Sequence, residues 1–148
     1  MKRNLFYLLP LLLLALVASC AKNSGIPATV IAPSGTFNGK FRLLTKNSIG
    51  AYDTLKDSII LKMTSDYHFK VLADTTKIHA GSHGTFAYDG NYIQFNDSTF
   101  SSVGPYPKKH LAGVYQYIYD GLNFKMLRAT SATNPDTVGR YDLVKTAN

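Results

Sequence analysis

The stretch Gly113-Val114-Tyr115-Gln116-Tyr117-Ile118-Tyr119-Asp120-Gly121-Leu122-Asn123-Phe124-Lys125-Met126 decides the fold. Tyr115, Tyr117 and Tyr119 fall on one face of an extended chain, and Val114, Gln116 and Ile118 fall on the other. Alternation with period two marks a half-buried strand, because successive side chains of a strand point to opposite faces. Asp120-Gly121 then supplies a tight turn, since glycine takes the positive φ that short hairpins need. The chain returns through Leu122, Phe124 and Met126. Two strands and their turn thus occupy one short segment, which predicts an antiparallel pair.

The same pattern extends outward in both directions. Upstream, Phe37, Phe41 and Leu43 alternate with Asn38, Lys40 and Arg42, with Gly39 on the apolar face. Asn47-Ser48-Ile49-Gly50 predicts a turn, and Ile59, Leu61 and Met63 share one face of the next strand. Tyr67, Phe69 and Val71 alternate with His68 and Lys70, and 74–82 reads as a loop. Gly84, Phe86 and Tyr88 lead into a second Asp-Gly pair, Asp89-Gly90, with Ile93 and Phe95 beyond it. A longer loop over 96–110 contains Gly104, Pro105 and Pro107, and a polar stretch over 130–137 contains Pro135. Tyr141 and Leu143 carry the last strand. The spacing predicts strands at 35–46, 55–64, 67–73, 84–88, 91–97, 111–119, 122–129 and 139–146, with no helical stripe after residue 34. Eight strands joined by short turns predict an all-β, antiparallel up-and-down barrel, whose closure removes exposed edges. A two-sheet β-sandwich is the competing architecture.

Glycine followed two residues later by an aromatic recurs at Gly35-Thr36-Phe37, Gly39-Lys40-Phe41, Gly84-Thr85-Phe86, Gly113-Val114-Tyr115 and Gly139-Arg140-Tyr141. Such glycines permit a bend or a close approach of strands, with the aromatic pointing inward.

The N-terminus has a different character. Lys2 and Arg3 precede an apolar run from Leu5 to Val17, interrupted by Pro10. As a helix the run spans about 20 Å, short of a hydrocarbon core of about 30 Å. Charge, a short apolar segment and small residues at its end make a secretory signal. Val17-Ala18-Ser19-Cys20, which holds the only cysteine, resembles the lipobox of bacterial lipoproteins. The resemblance implies cleavage before Cys20, acylation of its sulfur and nitrogen, and attachment to a membrane through those chains. The predicted organisation is a signal peptide at 1–19, lipidated Cys20 with a flexible tether at 20–34, and a barrel domain at 35–148. Gly25, Pro27 and Pro33 interrupt the tether, which as a coil spans about 20 Å. The expected location is the cell envelope, at the outer membrane. The tether lacks the acidic residues that look like a surface-export signal in some Gram-negative lipoproteins, so the periplasmic face is favoured.

Gly35-Thr36-Phe37-Asn38-Gly39-Lys40-Phe41, the paired Asp-Gly hairpins and Gly113-Val114-Tyr115-Gln116-Tyr117 resemble the small lipocalin-like barrel lipoproteins of Gram-negative bacteria. Phe37 stands where lipocalins carry a tryptophan, and this chain has none. The resemblance implies a barrel that takes a small apolar or amphipathic molecule.

Composition narrows the classes. The 16 Lys and Arg outnumber nine acidic residues, all of them Asp. A modest basic excess permits contact with anionic surfaces, but an exported, anchored chain argues against nucleic acid. The basic residues are scattered along the chain, Lys108-Lys109 being the one adjacent pair after the signal.

His79 and His83 have the i, i+4 spacing of helical zinc ligands, with His68 or His110 as a possible third, but Gly81 places them in a loop and a solvated loop is expected. Asp53 and Asp57 form a possible carboxylate pair that is expected to be exposed. Lys108-Lys109-His110 is expected to be a solvated basic connection or a contact for an anionic group. No nucleophile motif, catalytic residue, metal site or cofactor is assigned. The candidate ligand-lining residues are Phe37, Phe41, Phe69, Phe86, Tyr115, Tyr117, Tyr119, Phe124 and Tyr141. Their rings fill the lumen, or else leave a gap in which tyrosine hydroxyls orient a mostly apolar ligand. The expected function is therefore a non-enzymatic binding module for such a ligand. The alternative is a filled barrel that binds a protein or glycan through its loops, as an inhibitor or accessory subunit does.

Overall fold

The computed structural model describes residues 30–74, 76–99 and 108–146. The expected signal peptide, Cys20 and most of the expected tether lie outside the described residues. Eight strands, β1 (Gly35–Lys46), β2 (Tyr52–Met63), β3 (His68–Ala73), β4 (Ser82–Tyr88), β5 (Tyr92–Asp97), β6 (Gly113–Tyr119), β7 (Asn123–Ala129) and β8 (Thr137–Lys145), follow one another around a closed barrel. Every neighbouring pair is antiparallel, and β8 closes onto β1 with Phe37 opposite Lys145 and Phe41 opposite Tyr141. The expected up-and-down barrel is the architecture found, and the sandwich is not.

Up-and-down order sorts the connections to two ends. The base carries the tight turns at 64–67, 89–91 and 120–122, together with the chain's entry at Ser34 and its exit after Lys145. Asp89 and Asp120 cap two of these turns, each accepting two backbone N–H bonds from the residues that follow. The mouth carries the turn at 47–51, the segment 130–136 and, of the longer connections, the described residues 74, 76–81, 98–99 and 108–112.

Pro33 is fully buried, and Val30 lies where a Cβ on Gly90 would touch it at 3.1 Å. The flexible tether expected over 20–34 therefore ends in a segment packed against the base.

Side chains of period-two positions fill the interior. Phe37, Leu61, Ile93, Phe95, Phe124, Met126, Tyr141 and Leu143 are each at most 2% exposed. Rings meet edge-on or tilted, as in Phe37–Phe124 (centroids 5.3 Å), Phe69–Phe95 (5.0 Å) and Phe41–Tyr141 (4.9 Å). These geometries place the positive edge of one ring against the negative face of another. Two of the recurring glycines allow strands to close on each other. A Cβ on Gly39 would overlap the Asp142 carbonyl oxygen and lie 2.8 Å from the Leu143 Cα. A Cβ on Gly84 would overlap the Asn96 carbonyl oxygen in the same way.

Strand limits differ from expectation at several starts. β2 begins at Tyr52, three residues early, because Tyr52–Lys56 pair with β1 while their side chains stay exposed. β3 begins at His68, because Tyr67 adopts φ 64° in the turn and is exposed. β4 starts two residues early, at Ser82, and β6 starts two late, at Gly113.

Candidate functional site

Polar residues gather where the inward-facing positions reach the mouth. Asp57 continues the inward face of Ile59, Leu61 and Met63, Asp97 continues that of Ile93 and Phe95, and Arg128 continues that of Phe124 and Met126. The lumen is thus apolar from the base to its middle and polar at its top.

His79 sits at the centre of this layer and is fully buried, contrary to the solvated loop expected for it. Its backbone N–H donates to the Asp57 carboxylate at 3.0 Å. Asp57 is itself buried, not exposed, and its other oxygen accepts the Ser58 N–H at 2.7 Å. Asp53 lies apart from it, exposed and next to Asn47. The segment around His79 is also stapled to the facing loop. Ala80 N–H donates to the Lys109 carbonyl and Lys109 N–H to the Ile78 carbonyl, each at 2.9 Å. The Lys108-Lys109-His110 run is therefore built into the mouth.

The imidazole is engaged on both nitrogens. Nδ1 lies 2.7 Å from the Ala80 carbonyl oxygen, an acceptor only, so Nδ1 carries the proton. Nε2 then accepts from the Tyr141 hydroxyl at 2.8 Å. Burial pushes the His79 pKa down, which keeps the ring neutral. Burial raises the pKa of Tyr141 well above its usual value and raises that of Tyr115 as well; the two hydroxyls interact. The chain Tyr115–Tyr141–His79 is a neutral relay of hydrogen bonds at the floor of the mouth.

Above it lies a half-open cup of about 480 Å³. Phe41, Tyr115 and Tyr141 form the floor, Leu43, Ala129, Thr130, Thr137 and Gly139 the walls, and Arg128, Lys109 and His110 the rim. The Arg128 guanidinium stands 6.0 Å from the centre of the Tyr115 ring and donates to the Ala112 carbonyl at 2.7 Å. His110 Nδ1 is 2.8 Å from a carboxylate oxygen of Asp97, whose side chain is fully buried. That pair fixes the ring at the rim. No serine, cysteine or carboxylate is among the described residues that line the cup. The arrangement offers an aromatic floor and a positive rim.

Of the nine candidate lining residues, Phe41, Tyr115 and Tyr141 border the cup. Phe37, Phe69, Phe86, Tyr117 and Phe124 are buried in the packed lumen, and Tyr119 lies partly buried against Phe37 and Phe124 near the base. The histidines do not converge on a metal. His83 faces outward from β4, His68 is exposed at the base beside Asp66, and no group of three or more metal-ligating side chains occurs among the described residues. Sequence reasoning missed Arg128. Its signal was available, because counting in twos from Phe124 and Met126 reaches it. His79 and Asp57 gave no such signal, as their partners come from distant segments.

The basic residues that are scattered in sequence are gathered in space. Strand register aligns Lys56, Arg42 and Arg140 in one outward-facing row, with Ser58, Lys40, Asp142 and Lys125 in the next. Lys62 and Lys70 pair directly opposite each other nearer the base, with His83 beside Lys70. Asp142 is the acid among them and accepts from both Arg42 (2.6 Å) and Arg140 (2.8 Å). The outward positions of β4, β5 and β6 hold no Lys, Arg or Asp, being His83, Thr85, Ala87, Tyr92, Gln94, Asn96, Val114, Gln116 and Ile118. One wall of the barrel is rich in Lys and Arg, and the outward strand positions of the opposite wall hold none.

Comparison with protein-family models, curated proteins and solved structures gave no match for this chain.

Proposed function

We propose that this protein is a lipid-anchored envelope lipoprotein, tethered through Cys20, whose barrel is a non-enzymatic binding module. Its ligand is a small amphipathic molecule with an anionic head. The cup carries the reading. Its volume of about 480 Å³ falls in the range of small-molecule sites, about 300–1,000 Å³, which combine apolar surface with a few placed polar groups. An apolar body would lie on Phe41, Tyr115 and Tyr141, and its acidic group would meet Arg128 and Lys109. Arg128 and Lys109 at the rim, with the Asp97 carboxylate buried behind His110 and absent from the described lining, favour such a head over a neutral or basic one. Both His79 nitrogens are occupied, which favours a structural role for that ring over acid–base work.

The test is a fluorescence titration of the full-length protein with 8-anilinonaphthalene-1-sulfonate, an aromatic anion of suitable size. Saturable one-site binding is expected, weakened about tenfold or more in Arg128→Gln, as befits loss of one charge-assisted hydrogen bond. Lys125→Gln, on the outer wall, leaves binding unchanged. Equal affinity in wild type and Arg128→Gln refutes the cup as the site. Anchoring is checked separately by incorporation of labelled palmitate, which is expected in wild type and absent in Cys20→Ser.

A further inference from the structure

We infer that the cationic wall is a second membrane contact, laying the barrel's β1–β2–β3 side on an anionic bilayer. The register makes the argument. Like charges placed directly opposite each other across a strand pair are destabilising. This sheet nevertheless opposes Lys62 to Lys70, and Arg42 to both Lys56 and Arg140, with Asp142 alone between them. Among the described residues Lys40, Lys56, Lys62 and Lys70 form no ion pair. A sequence that keeps such a conflict on one wall, and no Lys or Arg at the outward strand positions of the other, is satisfied by an external anion.

An apolar row runs between the cationic ones. Ile60 pairs with Leu72, both more than a third exposed, between the Lys40–Ser58 row and the Lys62–Lys70 row. They border a shallow groove of about 590 Å³ on the outer surface of β1, β2 and β3, whose one acid, Asp74 at the mouth end, is paired with Lys77. Apolar side chains flanked by lysines suit a bilayer interface, where ammonium groups reach headgroup phosphates and aliphatic side chains sink below them. A fully soluble polyanion would make no use of Ile60 and Leu72.

The position of the wall selects the bilayer as occupant. Lys62 and Lys70 lie one residue pair from the base, next to the end where the chain enters. The apolar run Leu5–Val17 and Cys20 precede that entry, and the chain between Cys20 and the packed segment at 30–34 would span about 17 Å as a coil. Headgroups are thus the extended anionic surface within reach. Each basic residue near such a surface contributes a salt-sensitive attraction. The inference rests on the envelope reading for proximity alone, and the cup at the mouth stays open to solvent in this pose.

The test is lysine footprinting. The full-length protein is reconstituted on vesicles of phosphatidylcholine, or of phosphatidylcholine with phosphatidylglycerol, and exposed to a membrane-impermeant amine reagent read by peptide mass spectrometry. On the anionic vesicles Lys40, Lys56, Lys62 and Lys70 are expected to react at least ~3-fold more slowly than on neutral ones, with protection lost at about 0.5 M salt. Lys46 and Lys109, at the mouth, keep their rates. The double variant Lys62→Gln/Lys70→Gln, which relieves a repulsion and so keeps the fold, shows reduced protection at Lys40 and Lys56. Equal rates on the two vesicle types overturn the inference. So does protection by a soluble acidic polymer without protection on vesicles, which assigns the wall to that polymer. Flotation of wild type with neutral vesicles reports the anchor by itself, so failure of the anchor and failure of the wall are distinguishable.

Discussion

Replacing His79 by glutamine should remove a defined part of the protein's pH dependence. In the folded state His79 is fully buried, its Nδ1–H is committed to the Ala80 carbonyl and its Nε2 accepts from Tyr141. Protonating Nε2 would force the Tyr141 hydroxyl to turn from donor to acceptor and place a charge in the lumen, and burial lowers the His79 pKa below the ordinary 6.5. In the unfolded chain the ring titrates near that ordinary value. As pH falls through about 6.5 the unfolded state takes up a proton that the folded state refuses. His79 therefore contributes fully above 6.5, and the contribution is lost as pH falls from 6.5 toward the lower folded pKa. The limiting slope for one proton is about 1.4 kcal/mol per pH unit. Four Asp residues, Asp66, Asp74, Asp89 and Asp120, have folded pKa values shifted below 3.8, so their linkage acts at more acidic pH. Those four carboxylates do not act between pH 6.5 and 5, and the difference between wild type and His79→Gln reports the His79 imidazole there. Urea unfolding at pH 7.5, 6.5, 5.5 and 5.0 should give stability falling by about 1 kcal/mol per unit below 6.5 in wild type. In His79→Gln, which can still accept from Tyr141, stability should be lower throughout and the slope over that window shallower by about 1 kcal/mol per unit. Parallel profiles for the two proteins would refute the neutral, buried imidazole.

Gly39→Ala should lower stability by about 2–3 kcal/mol or more, since the added methyl meets β8 backbone that cannot turn away; Gly139→Ala, where the nearest atoms lie at 3.9 Å, should change it by less than about 1 kcal/mol. Thermal melts of the pair decide this, and equal melting temperatures would remove the close approach of β1 and β8. Asp57→Ala should cost about 2–4 kcal/mol by stranding the N–H groups of Ser58 and His79, as read by urea midpoints, with the mouth losing amide-exchange protection before the base. Asp120, held down to about 2 by the Asn123 side chain and the Asn123 and Leu122 backbone, should keep its turn ordered at pH 4 and release it as pH falls from about 3.8 toward 2. NMR shifts of the Gly121 amide follow that release, and no movement below pH 4 counts against the capped turn.

The barrel was legible in sequence because alternating side chains and two Asp-Gly turns are local signals. Phe37 to Leu43, Tyr115 to Met126 and Tyr141 to Leu143 each state their inward face without reference to the others. Boundaries slipped at Tyr52 and Tyr67, where no burial marks the strand's end. The cup was half legible. Its floor of Phe41, Tyr115 and Tyr141 came from the aromatic pattern, but the same pattern also marks Phe37, Phe69 and Phe124, which are simply core. Depth along the barrel axis separates the two groups, and no local pattern encodes it. His79 read as solvated because its carboxylate and hydroxyl partners lie 22 and 62 residues away. The cationic wall was invisible for a related reason, since Lys56, Arg42 and Arg140 become neighbours only once the register is fixed.

The seam between the first and last strands sets the order of assembly. Every other pair in the barrel joins segments consecutive along the chain, so seven ladders can form as local hairpins. The eighth unites Phe37 with Lys145, and its loop-closure entropy is met last. Until Thr137–Lys145 is available, the sheet is an open ribbon with two bare edges, a template for pairing with other chains. A chain truncated within that final strand would therefore aggregate, while a circular permutant opened between Asp120 and Leu122, with β8 joined to β1 across the base, would make that seam local and hand its closure cost to the β6–β7 pair.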